Sequence, residues 1–374
     1  MRAKRHDHIL TLIFLAVTVG LFFFPSWEAS YKDDAERVKV RILTVDNENM
    51  KQHGIVRTGD QGLEIEVLQG TFAGRQMKAV NHLMGRLEMD KIFVPGDRAL
   101  AVVQEGLEGA VSANVLDYYR LDVEVVLLGL FCALLVLFGG WIGARALLSF
   151  LFTGLMIWKV LLPWYLKGWD PIVSSLVVVL ILTAATVFLV GGVNRKGMAT
   201  FLGSMLGILF TCALSLYFGG AFRIHGAVKP FSESLLYSGF PHIDLTGIFL
   251  GGIFLASSGA VIDLAMDVAS AQWELAERKR DITRAELILS GLSVGRAVVG
   301  TQITTLLLAY TASYSSLLMT FLAQGIPSAN ILNMQYVSSE ILNTLVGSFG
   351  LVMVAPLTAV VSGFLFVGGE KPLP

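Results

Sequence analysis

The sequence has little charge and almost no cysteine. Only 15% of its 374 residues are Asp, Glu, Lys or Arg, whereas an average soluble domain carries about 25%. Its two cysteines, Cys132 and Cys212, lie in apolar stretches and form neither a metal-ligand spacing nor a disulfide framework. The net charge of −1 gives no basis for nucleic-acid binding. These shortages exclude an ordinary soluble domain, a zinc-binding domain and a disulfide-stapled secreted domain.

Catalytic and nucleotide-binding motifs are also missing from the sequence. It has no P-loop and no H-E-x-x-H. Asp263 and Asp267 are too close in sequence to match the two-helix dyads of aspartyl membrane proteases. We therefore expect no enzyme activity, no cofactor and no bound metal. An intramembrane hydrolase is the weakest of the functional hypotheses.

Apolar residues dominate what is present, at 54% of the chain with a mean hydropathy of +0.67. A helix needs about 20 mostly apolar residues to cross a bilayer. The stretches that meet this length predict about eight transmembrane helices: 9–27, 123–141, 146–165, 172–192, 198–218, 245–271, 296–320 and 341–367. The first stretch follows the basic segment MRAKRHDH and lacks a clear cleavage site, which favours an uncleaved anchor over a signal peptide.

The distribution of basic residues predicts the orientation of these helices. With the N-terminus in the cytoplasm, the short outer loops contain only Lys167, Arg223 and Lys229. The inner segments then contain Arg2, Lys4, Arg5, Arg145, Arg195, Lys196, Arg278, Lys279, Arg280, Arg284 and Lys371. We therefore expect a multi-pass protein of a bacterial inner membrane, with both termini cytoplasmic and the lipid bilayer as its main surroundings.

Residues 28–120 have a different character and are predicted to form an extracytoplasmic β-rich domain. Apolar residues alternate with charged ones in Val38–Ile42 and Leu63–Val67, which is the pattern of half-buried strands. The turn Pro95–Asp97 precedes a further apolar strand, Arg98–Gln104. Five or six short strands predict a small β-barrel, OB-like or SH3-like. Residues 1–27 then form the N-terminus and first anchor, and 121–374 a seven-helix membrane domain.

The sixth apolar stretch carries two carboxylates where a spanning helix should have none. Asp263, Asp267, Ser270 and Glu274 follow a helical period and share one face. A charge deep in hydrocarbon costs about 2.5–3.5 kcal/mol on insertion scales, so we expect this face to look into the helix bundle. Three readings stay open: a structural ion pair with Arg296 across the hairpin, a site for a coupling ion or substrate, or a solvated helix end.

Other polar residues in the helices are candidates for a solute pathway. In the seventh stretch these are Gln302 and Thr305, although Thr hydroxyls often bond to their own backbone. In the eighth, Glu340 and Asn343 lie near the predicted outer surface, where Glu340 also suits an interfacial cap. Gly252, Ala256 and Gly259 have the small-xxx-small spacing that allows close helix packing or a local break.

Several segments in order resemble the YibE/F-like family of bacterial membrane proteins. They are GIVRTGDQGLEIEVLQGTFAGRQMKAVNHLMGRLEMDKIFVPGD, SSGAVIDLAMDVASA, GRAVVGT with LLLAY, and SSEILNTLVGSFGLVMVAPLT. The resemblance covers nearly the whole chain and implies a multi-pass inner-membrane protein and a permease. Gln302 and Thr304 stand where the family pattern has Met and Asn, so a ligand role of that Asn does not carry over.

Two functional hypotheses follow. The first is a secondary transporter of an unknown small solute or ion, with Asp263 and Asp267 as coupling carboxylates and Arg296 as their counter-charge. Gln302, Thr305, Glu340 and Asn343 would line its path. The second is a scaffold or sensor without transport, whose β-domain binds an envelope protein partner.

Overall fold

The computed structural model describes residues 2–25, 27, 35–105, 111–279 and 281–367. Two of the predicted inner charges, Arg280 and Lys371, lie outside the described residues. The chain divides into two compact units, 27–134 and the combination of 1–26 with 135–374. The first is a small β-barrel followed by the start of a helix, and the second is a helical bundle.

Six strands form the barrel unit: β1 Ala35–Asp46, β2 Met50–His53, β3 Val56–Val67, β4 Gln76–Met84, β5 Arg98–Glu105 and β6 Val111–Tyr118. Five of them close in the order β1-β3-β4-β6-β5-β1, and β2 is added at the edge of β3. The pairs are antiparallel except β4 with β6. This closed five-stranded order is that of an OB-fold, one of the two predicted barrel types.

The barrel closes because β1 is long enough to pair with two neighbours. Its first half pairs with β5 and its second half with β3, and a bulge between Ile42 and Thr44 bends the strand. The predicted alternation is confirmed, since Val38, Val40 and Ile42 all point into the core. Leu63, Ile65 and Val67 of β3 and the ring of Phe93 fill the same core.

The described residues contain ten α-helices: α1 Arg2–Phe23, α2 Leu121–Met156, α3 Leu162–Leu166, α4 Pro171–Gly191, α5 Arg195–Ala221, α6 Ser232–Tyr237, α7 Leu245–Arg278, α8 Arg284–Ala323, α9 Ser328–Asn333 and α10 Gln335–Phe366. A π-turn, Ile157–Leu161, joins α2 to α3, and a 3-10 turn, Gly226–Val228, precedes α6. The helices start where a short polar side chain or a proline favours them. Asp170, Asn194, Asp244 and Thr283 cap the backbone N–H groups of α4, α5, α7 and α8.

Six candidate membrane spans are present among the described residues, in α2 with α3, α4, α5, α7, α8 and α10. The predicted stretches 123–141 and 146–165 fall on one helical stretch, Leu121–Leu166. Gly140 interrupts it with non-helical backbone (φ 53°, ψ −130°), and Gly143 lies directly against the Leu135 carbonyl. The chain therefore bends sharply here. The apolar part of α1, His8–Phe23, is shorter than a full span.

The centre of the bundle is formed by α5, α7 and α10, which pack through apolar side chains and through glycine. A Cβ on Gly203 of α5 would lie 2.2 Å from the Thr358 hydroxyl of α10, and one on Gly350 of α10 would lie 2.0 Å from the Thr211 hydroxyl of α5. These glycines let the two backbones approach closely. Phe254, Val261 and Leu264 of α7 are fully buried in the same core.

One amide side chain connects three helices. Gln272 of α7 is fully buried and donates from Nε2 to the carbonyl of Leu287 in α8, at 2.8 Å, and of Ala359 in α10, at 3.1 Å. Gly291 of α8 lies against this side chain, and Gly295 lies against Val268. The antiparallel register of α7 and α8 therefore places Arg296 level with Asp267.

Candidate functional site

The predicted acidic face of α7 is exposed in the single chain. Asp263 and Asp267 both lie on the surface of the bundle, together with Ala256 and Gly259 of the same face. The prediction that this face looks into the bundle is therefore wrong for one copy of the chain. The reason is packing: the opposite side of α7 carries its bulky apolar residues, and these occupy the core between α4, α5 and α10.

The predicted ion pair between Arg296 and the carboxylates of α7 is not formed among the described residues. Arg296 is exposed, and within the described part of the chain no ion pair or hydrogen bond joins it to Asp263 or Asp267. The α7–α8 register places Arg296 at about the level of Asp267 along the two helices, and both residues are exposed. Glu274, at the end of the same face, pairs instead with Arg278 at 2.6 Å.

The two candidates on α8, Gln302 and Thr305, do not line the cavity at Glu340. Gln302 is half-buried, and Thr305 is exposed and donates its hydroxyl to the Thr301 carbonyl at 2.9 Å. That back-bond satisfies the hydroxyl within its own helix. Gly300, one turn before Thr304, has nothing within 4 Å of the position a Cβ would take. The helix surface at Gly300 is therefore uncovered in the single chain.

Glu340 and Asn343, by contrast, are buried at the wall of a cavity of about 390 Å³. The two residues lie one turn apart on α10, and Asn343 Nδ2 donates to Glu340 Oε2 at 3.4 Å. Glu340 also forms an ion pair with Lys229, which comes from the loop after α5. The glutamate side chain is 11% exposed and the lysine 38%. Glu340, which the sequence indicated as a candidate, is thus paired with a residue that lies 111 positions earlier in the chain.

Two tyrosines of α8 complete this cavity. Tyr310 and Tyr314 lie one turn apart and line the cavity together with Glu340 and Asn343. The Tyr314 hydroxyl lies close to the Glu340 carboxylate. Among the described residues, the Tyr310 hydroxyl and the Oδ1 atom of Asn343 are buried without a hydrogen-bond partner. Leaving one such group unsatisfied costs about 1–3 kcal/mol. Two of them around one cavity indicate a place that is completed by water or by a bound molecule.

The loop that carries Lys229 is fixed onto the start of α7. Gly226 donates its N–H to the Thr246 hydroxyl at 3.3 Å, and a Cβ on this glycine would collide with the Leu245 carbonyl at 1.7 Å. Phe231 has a left-handed backbone (φ 61°), which costs a bulky residue about 1–2 kcal/mol. The Lys229 ammonium lies 5.5 Å from the ring centroids of Phe249 and Tyr314. The lysine is therefore held over aromatic faces.

The cavity and the acidic residues share one face of α7. Gly252 and Ala256 line the cavity, and the same helical face continues through Gly259 to Asp263 and Asp267. At about 1.5 Å per residue, Gly252 and Asp267 are about 22 Å apart along the axis, and the hydrocarbon core is about 30 Å thick. A strip of small residues therefore connects the cavity to the carboxylates over most of a membrane's depth.

Sequence reasoning missed Lys229, Tyr310 and Tyr314. The sequence indicated Lys229 only as a basic residue of a predicted outer loop, and no local sequence pattern predicts its contact with Glu340. The tyrosines carried a usable signal, because they follow each other at helical spacing in a stretch otherwise rich in small residues. Among the described residues, no group of three or more His, Cys, Asp or Glu is arranged to hold a metal ion.

Comparison with known proteins assigns the helical part of the chain to a family. The family model for the YibE/F-like protein matches residues 127–368, which includes the cavity and the acidic face of α7. No curated protein and no solved structure matches the chain. Because this match covers more than half of the sequence and almost all of the bundle, the chain belongs to the YibE/F-like family.

Proposed function

We propose that this membrane protein is a secondary permease for a small polar solute or ion, and not an enzyme. The observation that carries the proposal is the cavity at Lys229 and Glu340, between helices long and apolar enough to cross a bilayer. A buried charge pair beside unsatisfied polar atoms is expensive in a membrane, and such groups usually mark a solute or ion pathway. No P-loop is present in the sequence, so an ion gradient would supply the driving force.

In this proposal the chain crosses the inner membrane eight times, with both termini in the cytoplasm. The barrel would lie on the extracytoplasmic side, because inner segments hold most of the basic residues. The bend at Gly140 supports two crossings in the stretch Leu121–Leu166. The cavity would then open near the outer surface, and Asp267 would lie nearer the cytoplasm.

Asp263 and Asp267 would serve as the coupling carboxylates, with Arg296 as their counter-charge. Two carboxylates one turn apart repel each other when both are charged, and a bound cation would relieve that repulsion. The solute would pass between the cavity and these two carboxylates along the small residues Gly252, Ala256 and Gly259 of α7. Gln302 and Thr305 of α8 would line the other side of this path. Lipid, another part of the membrane domain or a second copy would cover the exposed stretch.

Flux measurements on the reconstituted full chain test the proposal. Liposomes carrying wild type, Glu340→Gln or Glu274→Gln would be loaded with pH- and potential-sensitive dyes. A panel of amino acids, sugars, cations and anions would then be applied. We expect one solute class to give flux with wild type and with Glu274→Gln, which changes an exposed pair, but not with Glu340→Gln. Equal signals for folded wild type, Glu340→Gln and empty liposomes would contradict a permease.

The coupling role is tested separately by Asp263→Asn and Asp267→Asn. Each should abolish gradient-driven flux while leaving the unfolding temperature unchanged, and normal flux in both would remove the coupling role. The alternative function is a scaffold or sensor whose barrel binds an envelope protein.

A further inference from the structure

The lining of the cavity supplies both hydrogen-bond acceptors and donors. On α10 the acceptors are the Glu340 carboxylate and the Asn343 Oδ1 atom, which has no partner among the described residues. The donors are the Lys229 ammonium from the loop and the Tyr310 hydroxyl from α8. The Lys229 ammonium donates directly to the Glu340 carboxylate, and Asn343 is more than nine-tenths buried. A bound molecule therefore meets a negative group and a positive group that lie next to each other.

The charges in this cavity exclude a simple ion. Among its lining residues Lys229 and Glu340 are the charged ones, so the cavity is neutral overall. A cation bound at Glu340 would face the ammonium of Lys229, and an anion bound at Lys229 would face the carboxylate of Glu340. A desolvated like-charge contact costs several kcal/mol. A molecule with both charges satisfies both sides at once.

The existing ion pair need not break for such a molecule to bind. An ammonium group has three N–H donors, and the Lys229 ammonium makes one hydrogen bond within the described residues, to Glu340. A carboxylate can bind the remaining donors and the Tyr310 hydroxyl. An ammonium can bind the Asn343 Oδ1 atom and the outer face of the Glu340 carboxylate.

Most of the remaining lining is apolar and adds a second requirement. Besides Ser232 and Ser313, it consists mainly of large apolar side chains: Leu235, Leu245, Ile248, Phe249 and Ile253. The volume of about 390 Å³ lies within the usual range of small-molecule sites. We propose that this cavity binds a zwitterionic α-amino acid with an aliphatic side chain. The inference rests on the permease proposed above and names its substrate class.

Binding to the purified full chain in detergent separates the charge requirements. The probes are L-leucine, isoamylamine, which lacks the carboxylate, and 4-methylpentanoate, which lacks the ammonium. Titration calorimetry should show L-leucine binding at least about 10-fold more tightly than either probe, since each lost charged hydrogen bond weakens affinity by that order. Equal affinity for isoamylamine and L-leucine would show a cation site and overturn the proposal.

Variants connect the binding to the named residues. Lys229→Gln and Asn343→Leu should each weaken L-leucine binding by about 10-fold or more, whereas Lys279→Gln and Tyr217→Phe should leave it unchanged, because they alter exposed groups elsewhere. If folded wild type binds none of the three probes, the proposed substrate class is wrong even when liposome assays show flux of another solute. Leucine binding without flux of any kind would retain the site and remove the permease.

Discussion

Two buried polar clusters in this chain differ in how completely they are satisfied. In the barrel, Gln61 is fully buried and makes every side-chain hydrogen bond available to it: Nε2 donates to Asn47 and to the Phe93 carbonyl, and Oε1 accepts from Asn81 and from the Phe93 N–H. In the bundle, the cluster at Glu340 leaves two buried polar atoms, the Tyr310 hydroxyl and the Asn343 Oδ1 atom, unpaired among the described residues.

The difference separates a structural network from a binding one. A satisfied network fixes one arrangement of the strands and loops, since changing any member leaves the others unpaired. An unsatisfied cluster beside a cavity stabilises the fold poorly and keeps its polar atoms for another molecule. The contrast predicts that replacing a buried amide with leucine will lower the stability of the barrel much more than that of the bundle.

The largest effect should come from Gln61→Leu. This change leaves the Phe93 N–H and carbonyl buried without partners and removes one bond from Asn81, so we expect a loss of about 3 kcal/mol or more in barrel stability. Asn343→Leu removes the unpaired Oδ1 atom together with one long hydrogen bond, at 3.4 Å, to Glu340, and should change bundle stability by about 1 kcal/mol or less. Hydrogen exchange of β3–β6 and of α10 in the full chain measures both.

The exposed Gln76→Leu is the matched control for the barrel and should leave its exchange rates unchanged. If Asn343→Leu proved as destabilising as Gln61→Leu, the cavity cluster would be a structural network. The contrast between the two clusters would then fail.

The next effect concerns the ion pair. Lys229→Met leaves Glu340 buried without a cation, which costs about 3–5 kcal/mol for a fully buried pair. Because the lysine is 38% exposed, solvent screens the pair and we expect about 1–3 kcal/mol. Thermal unfolding in detergent should show this loss, and the double variant Lys229→Met with Glu340→Gln should recover most of it.

Lys279→Met supplies the control for that comparison, since its pair with Glu286 has both side chains about half exposed. Its effect should stay below about 1 kcal/mol. If Lys279→Met lowered the stability as much as Lys229→Met does, burial of Glu340 at the cavity would not explain the effect of Lys229→Met.

Glycine substitutions sharpen the contrast between closed and open surfaces. Gly203→Ala puts a Cβ 2.9 Å from the Thr358 backbone, so we expect a loss of about 1–2 kcal/mol from overpacking between α5 and α10. Gly252 has nothing within 4 Å, so Gly252→Ala should be neutral within about 0.5 kcal/mol. Thermal unfolding distinguishes the two, and a large loss for Gly252→Ala would show that another surface covers this face of α7.

The sequence predicted features that depend on short periods. Alternation identified the buried residues of β1 and β3, and helical spacing placed Asp263 and Asp267 on one face. The sequence did not predict the features that depend on contacts between distant segments. Which face of α7 is buried depends on the apolar surfaces of α5 and α10, and Lys229 meets Glu340 only after the loop has folded onto α7. No local pattern encodes either contact, so the cavity was found only as two isolated polar residues on α10.

The smallest effect is a pH dependence confined to the barrel. Desolvation acts to raise the pKa of Asp117, but the hydrogen bonds from Lys91 and the Tyr118 N–H outweigh it and hold the pKa below its usual 3.8. A lowered pKa in the folded state means that the carboxylate stabilises the barrel at neutral pH. This contribution is lost as the pH falls below about 4. The ion pair with Lys91, at 3.1 Å, is partly exposed, so the effect should be under about 1 kcal/mol.

Hydrogen exchange of β5 and β6 between pH 6 and pH 3 measures this effect. The stability of the barrel should fall less steeply with acid in Asp117→Asn than in wild type, whereas Glu48→Gln should match wild type. An unchanged acid slope in Asp117→Asn would mean that surface charge contributes nothing measurable, and that buried networks such as that of Gln61 account for the stability of the barrel.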